Sequence, residues 1–371
     1  MGKGVEQAFE ELKISYDTFF YQLTDWEEDN TFQNQLEQRL QQADYQVVFS
    51  INFNPLIARV CEDRRISYVS WVYDSPIHIR NLEALKLSCN HIFFFDRGQA
   101  EEYAKMGIAA QHMPLAGDIA SFGRIHVSDS EMVDYETEVA MVGKLYQTEY
   151  MDYMKPLTLR QRGYLEGLVA SQKKIYGGYF LDELLTDSLL AELNVRYDKV
   201  SVGRVQLAKR ELEFLLAEEI TKRERLEALA LLSNHFKVDL YSTEMDERLS
   251  KVRRRPYVDY YSKMPKVFKA AKINLNISLK TIRTGIPLRV LDIMACGGFV
   301  ISNYQEEIEE YFRIGEEIVT YGDLEELFYL CDYYLKHEGE RKRIAANGLE
   351  RIRQDFGFTD RIRTILGSEK G

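Results

Sequence analysis

No run of this sequence stays apolar for the roughly 18 to 20 residues that cross a bilayer. The opening MGKGVEQAFEELK has no apolar segment of the kind a secretion signal needs. A cytoplasmic location without a transmembrane segment is expected. Cysteine is scarce too: Cys61, Cys89, Cys296 and Cys331 lie far apart with no C-x-x-C pair, which suggests neither a zinc site nor a disulfide framework. Positive charge is in deficit, with 48 Lys and Arg against 59 Asp and Glu and a formal net charge of −11. That argues against general nucleic-acid binding, which needs a concentrated basic surface. The one basic run, KVRRRP at 251–256, reads as a solvated loop. Neither a G-x-x-x-x-G-K-[ST] phosphate loop nor a G-x-G-x-x-G fingerprint occurs, so nothing signals an ATPase or a dehydrogenase.

What is present is the composition of a folded chain. A 45% hydrophobic content over 371 residues builds a large core, and that length suits two domains of about 120 to 200 residues each. GVEQAFEELK and TFQNQLEQRLQQA space their apolar residues as two amphipathic helices. After them, short apolar runs alternate with helical stretches: YQVVFSINFNP, PLIARVCEDRR, ISYVSWVYDSP, NLEALKLSC, NHIFFFD, RGQAEEYAKMG. This alternation implies parallel strands covered on both faces, and therefore a doubly wound α/β domain, here one without a first strand. A linker at 123–136 places the domain boundary near residue 125. The expected organisation is a first Rossmann-like domain over 1–125, a second Rossmann-like domain over 126–350 with a helical insertion at about 148–235, and a helical tail over 351–371 that packs back on the first domain.

The segment KINLNISLKTIRTGIPLRVLDIMACGGFVISN carries the chemistry. A buried strand, a loop and a short helix over 287–296 follow from Pro287 at the start and Gly297-Gly298 at the stop. Arg289 and Asp292 share one stripe of that helix. Amides at a helix start attract phosphate, an arginine in the first turn forks onto its oxygens, and a carboxylate one turn on accepts sugar hydroxyls, so the pair fits a nucleoside diphosphate. A structural Arg289–Asp292 ion pair is the alternative. At VAMVGKLY a strand ends in Gly143-Lys144, placing one cation at the sheet edge, although a glycine there also serves plain turn chemistry.

With those residues in view, MPKVFKAAKINLNISLKTIRTGIPLRVLDIMACGGFVISNYQEEIEEYF and the following GEEIVTYGDLEELFYLCDYYLKHEGERKRIAANG resemble the spore-maturation CgeB-like glycosyltransferases, enzymes of the GT-B fold. The resemblance implies two Rossmann-like domains facing a cleft. It also implies transfer of a sugar from a nucleotide-sugar donor, held by the second domain, to a protein or glycan acceptor, with neither metal nor cofactor. TGIPLRVLD at 284–292 is similar to the donor loop E-G-F-G-x-x-x-[LF]-E of retaining relatives. Asp292 then holds the ribose, while Gly285 and Ile286 present phosphate-binding backbone beside Arg283 and Arg289. Thr284 stands where that pattern has a glutamate that contacts the donor sugar. Gly143 and Lys144 match a diphosphate-side pair, and Tyr241, Ser242, Tyr257 and Val258 fall where the family presents donor contacts. In the mechanism expected from this likeness, Lys144, Arg289 and the amides of 285–288 stabilise the departing diphosphate. Asp74, at the end of a buried strand, is the candidate acceptor-side base, with a turn cap as its alternative; His78 and His112 are lesser candidates. A nucleotide-sugar epimerase or hydrolase, and a non-catalytic sugar-nucleotide-binding protein, are the rival readings.

Overall fold

The computed structural model describes residues 2–77, 79–200 and 206–367, so His78 lies outside the described residues. The chain divides into two compact units, one of Met1–Ala120, Thr284–Leu291 and Ile352–Gly371, the other of Ser121–Arg283 and Asp292–Arg351.

In the first unit, short apolar runs become β1 (Val47–Ile51), β2 (Ser67–Val72), β3 (Asn90–Phe94) and β4 (Ala110–His112), a parallel sheet in sequential order. The crossover helices begin where the sequence supplies a cap. Asn54 accepts the amides of Leu56 and Ile57 before helix Pro55–Arg64, and Asp96 accepts that of Gly98 before helix Arg97–Lys105. Tyr68, Val69, Trp71 and Val72 are completely buried on β2, and the Trp71 indole donates to the Met113 carbonyl at 3.1 Å.

A doubly wound order was expected here, but this sheet winds in one direction only. Two helices, Gly2–Glu11 and Asn30–Leu40, precede β1 in place of a strand, and among the described residues β1 pairs with β2 alone. Two later segments group with this unit. Thr284 donates its amide and hydroxyl to Asp96 Oδ1 at 3.1 and 3.0 Å. Gly285 approaches the same residue so closely that a Cβ would stand 2.8 Å from the Asp96 Cα. At the carboxyl end, Phe358 lies against Gly4, and the Gly117 amide donates to the Phe356 carbonyl at 2.9 Å.

The second unit holds β5 (Val139–Val142), β6 (Val238–Tyr241), β7 (Arg253–Arg255), β8 (Ile273–Asn276), β9 (Val300–Asn303) and β10 (Val319–Tyr321) in the parallel order β10-β9-β8-β5-β6-β7. Winding therefore reverses between β5 and β8, and open α/β sheets place ligands beyond the carboxyl ends of the strands at such a reversal. The KVRRRP run is not a loop: its arginines form the edge strand β7, because the buried Asp239 on β6 needs partners and draws Arg253 onto it at 2.7 Å.

Between β5 and β6 lie helices from Tyr150–Met154 to Lys209–Ser233, with a core that includes Tyr150, Leu165, Leu181, Leu212, Leu216 and Ile220. The last of these helices continues into the sheet's own core through Leu226, Leu229 and Leu232. No helix among the described residues is long and apolar enough to cross a membrane.

Helix Leu288–Ala295 stops at Gly297, whose φ is 74°. Gly298 follows because a Cβ there would lie 2.7 Å from the Phe268 carbonyl oxygen and 2.9 Å from the Asn274 side chain. Gly297→Ala should cost about 1–2 kcal/mol for its left-handed backbone. Gly298→Ala should cost up to about 3 kcal/mol, because its obstacles are a backbone oxygen and a buried amide. Denaturant midpoints measure both, and parent-like values would contradict the packing described.

Candidate functional site

At the carboxyl edge of the second sheet, polar side chains hold the strand ends. Asn276 donates to the Ser302 hydroxyl at 2.9 Å, and the Ser278 amide donates to Asn303 Oδ1 at 2.7 Å. Asn274 donates to the Phe268 carbonyl at 3.0 Å. The asparagines of KINLNIS thus satisfy backbone and neighbouring strands inside the core, where an unmet polar group is costly.

Arg225 is the centre of this edge. It is 8% exposed, and its guanidinium donates through Nη1 to the Lys144 carbonyl and through Nη2 to the Ile277 carbonyl. These residues follow β5 and β8, the two strands on either side of the reversal. The same guanidinium lies 4.8 Å from the Tyr146 ring centroid. Gly143 and Lys144 begin the turn, and the Gly143 amide donates to the Tyr241 carbonyl at 3.1 Å. Lys144 is exposed. Gly143, Lys144, Tyr241 and Ser242 are accordingly brought together at the ends of β5 and β6. Glu218, on helix Lys209–Ser233, has a carboxyl pKa raised by burial, opposed by the Lys144 charge and reinforced by Glu244.

The loop after β8 is tied to the helical insertion. The Lys280 amide donates to the Thr221 hydroxyl at 3.0 Å, and Lys280 Nζ lies 3.6 Å from Glu224 and 4.2 Å from the Tyr176 ring centroid. Tyr176 and Tyr321 both donate to Glu224 Oε1, at 2.8 and 3.2 Å. Burial, then Glu224, pushes the Tyr176 phenol well above its usual range and keeps it a neutral donor. Arg283, expected among the donor contacts, is engaged by Asp182 at 3.1 Å, by Glu213 at 3.5 Å and by the Tyr179 ring at 4.8 Å.

Arg289 and Asp292 lie three residues apart on helix Leu288–Ala295. Arg289 is half-buried in the first unit, where Gly285 and Ile286 are buried. Asp292 belongs to the second unit, is 1% exposed, and accepts the Tyr260 hydroxyl at 2.7 Å. Val258 is buried, whereas Tyr257 is 68% exposed. Asp74, exposed in the first unit, accepts the Asn52 side chain at 2.8 Å, and Asn52 also takes the amides of Tyr73 and Asp74. Among the described residues, no three His, Cys, Asp or Glu side chains converge as metal ligands.

Sequence reasoning missed Arg225, Glu244 and Tyr260. Arg225 is hidden in a charged helical repeat. Tyr260 offers a faint signal, as part of the tyrosine-rich YVDYYSK just before MPKVF.

Residues 213–367 match the family model described as glycosyl transferase-like. No curated protein matches the chain. Among solved structures, the chain is similar to Anabaena Alr3699/HepE in complex with UDP-glucose, at 12% identity and TM-score 0.53, over 98% of this chain and 88% of that one. It is similar to a glycosyltransferase from Rickettsia africae ESF-5 at 10% identity and TM-score 0.54, over 98% and 86%. Sucrose-phosphate synthase (tll1590) from Thermosynechococcus elongatus aligns at 12% identity and TM-score 0.51, over 91% and 76%. The fold is GT-B, α/β with two parallel sheets.

Because Asp292 is almost wholly covered, its hydroxyl donor matters. Tyr260→Phe should lower stability by about 1–3 kcal/mol, the cost of leaving a buried acceptor without that partner, and denaturant unfolding against the parent protein measures it.

Proposed function

We propose that this chain is a glycosyltransferase that moves a hexose from a nucleoside diphosphate sugar to a protein or glycan acceptor, in the manner of the CgeB-like enzymes it resembles. The observation that carries the reading is the glycosyl transferase-like match over residues 213–367. That match spans β6 to β10 and the hydrogen bond from Tyr260 to the buried Asp292. The winding reversal between β5 and β8 supports it, since that edge is where such sheets bind nucleotides.

In the proposed chemistry the bond between the anomeric carbon and the diphosphate oxygen breaks, and charge accumulates on the leaving diphosphate. Lys144, exposed at the reversal, is the cation that stabilises it in the second unit. Asp292, oriented by Tyr260, accepts hydroxyl hydrogens of the donor. Arg289 and Asp74 remain proposed as a diphosphate contact and an acceptor-side base. The reaction is proposed to retain the anomeric configuration and to run in the cytoplasm without a metal. Proton NMR of the product reads the configuration, and assay after chelation reads the metal dependence.

A second reading, a non-catalytic sugar-nucleotide-binding protein, is favoured by one observation: the Thr284 hydroxyl is engaged by Asp96 and by the Gly98 amide, each at 3.0 Å. Turnover separates the two readings.

The decisive experiment is a thermal-shift and turnover screen of nucleoside diphosphates and their sugars. UDP-glucose comes first because a neighbour of this fold was crystallised with it. A ligand bound only by the native state raises the melting temperature. Lys144→Ala and Asp292→Asn should each weaken donor binding by about tenfold or more, roughly 1.4 kcal/mol. Parent-like affinity in calorimetry for both variants would remove this assignment.

A further inference from the structure

The turn after β5 has a feature that the transfer reading does not use. The successive backbone amides of Leu145 and Tyr146 both donate to one oxygen, Glu244 Oε2, the second at 2.8 Å. Tyr146 has a φ of 62°. A left-handed residue in a turn points consecutive N–H groups to one side, and the resulting concavity binds anions. The exposed Lys144 immediately precedes these amides. A cation and two amides are therefore gathered at the sheet edge beside the reversal, and the anion seated on the amides is the chain's own carboxylate.

The turn does not rely on Glu244 for its shape. Arg225 holds the Lys144 carbonyl and lies against the Tyr146 ring, the Gly143 amide is fixed to Tyr241, and the Thr148 hydroxyl donates to Glu219 at 2.6 Å. Glu244 is half-buried on the short loop after β6, where its own amide donates to the Ser242 hydroxyl at 3.1 Å. Removing its side chain leaves the amides aimed and the lysine in place. Glu218 shares the neighbourhood: its carboxyl responds to both Lys144 and Glu244. The Glu244 carboxylate on the two amides sets a negative charge where an arriving anion would sit.

We propose that the 144–146 turn is an oxyanion seat for a phosphate of the donor, and that Glu244 is a displaceable plug that fills the seat until phosphate arrives. The identity of the ligand rests on the glycosyl-transfer reading; the chemistry of the seat does not. A diphosphate brings more charge and more acceptor oxygens than a carboxylate, so it gains Lys144 and both amides together. Glu244, once displaced, is already close to solvent.

The probe is inorganic pyrophosphate, titrated by calorimetry into the parent protein, Glu244→Gln and Glu244→Ala, with uridine diphosphate and uridine alongside. Glu244→Gln keeps the size and an acceptor oxygen while removing the charge, so it decides the matter alone should the alanine variant fail to fold. The Kd for pyrophosphate and for uridine diphosphate should tighten about three- to tenfold in the variants, and that for uridine should not change. In the parent protein, the amide resonances of Leu145 and Tyr146 should move on addition of pyrophosphate. Unchanged or weaker pyrophosphate binding in a variant of parent-like melting temperature overturns the proposal. So do immobile Leu145 and Tyr146 resonances at saturation, or no pyrophosphate binding at millimolar concentration by any of the proteins. If the variants gain pyrophosphate affinity while no nucleotide sugar binds or turns over, the seat stands and the transfer reading falls. If nucleotide sugars turn over but Glu244→Gln gains nothing, the reverse holds.

Discussion

One buried charge organises the second unit. Moving a guanidinium out of water costs several kcal/mol unless its donors find acceptors, and Arg225 finds the carbonyls of Lys144 and Ile277, just beyond two adjacent central strands. Its planar fork imposes a direction on both carbonyls at once, which a lysine ammonium could not do. Carbonyl oxygens at the carboxyl ends of strands repel anions, and a cation set against two of them offsets their partial negative charge. The constraint is rigid because Arg225 rides on helix Lys209–Ser233, whose first half is packed in the helical insertion and whose second half is packed in the sheet core.

The insertion is consequently not an appendage. It supplies Thr221 and Glu224 to Lys280, and Asp182, Glu213 and Tyr179 to Arg283, so the two cations of the loop after β8 face the insertion. Glu224, 1% exposed, takes two phenol hydroxyls and a lysine as neighbours, which is how an interior carboxylate is made tolerable. A loop held in this way meets a ligand without first being ordered. That is the form of preorganisation that makes electrostatic stabilisation effective, because no reorganisation is needed as charge develops.

Elements whose causes are local were legible in the sequence. The buried strands follow from short apolar runs, helix starts from Asn54 and Asp96, and the stop at Gly297 from its left-handed backbone. The glycine pair and the exposed Lys144 at the end of β5 were legible for the same reason. Causes that act across the chain were not. The KVRRRP run becomes strand β7 only because Asp239, 14 residues away, is buried without other counter-charge on its own strand. Arg225 sits in KRERLEALALL, where a charge repeat reads as a solvated face, and only the fold turns that residue inward. The partners of Arg283, Asp182 and Glu213, lie in helices whose placement the local pattern does not fix.

The same distinction explains Thr284, one of the residues that depart from the donor-loop pattern. Thr284 stands where the donor-loop pattern it resembles has a glutamate, and its neighbour accounts for a threonine there. The Asp96 carboxylate caps helix Arg97–Lys105 through the Gly98 amide and also accepts the Thr284 amide and hydroxyl. The Thr284 oxygen in turn accepts the Gly98 amide at 3.0 Å. Only a hydroxyl both donates to a carboxylate and accepts an amide from one atom. A glutamate would set a second carboxylate against the fully buried Asp96, which like-charge repulsion disfavours. Gly285 has the same origin, since any Cβ would strike the Asp96 backbone. Residues 284 and 285 are therefore written by Asp96, 188 residues earlier than Thr284, and the pattern at this loop reports a packing constraint before it reports any choice of sugar.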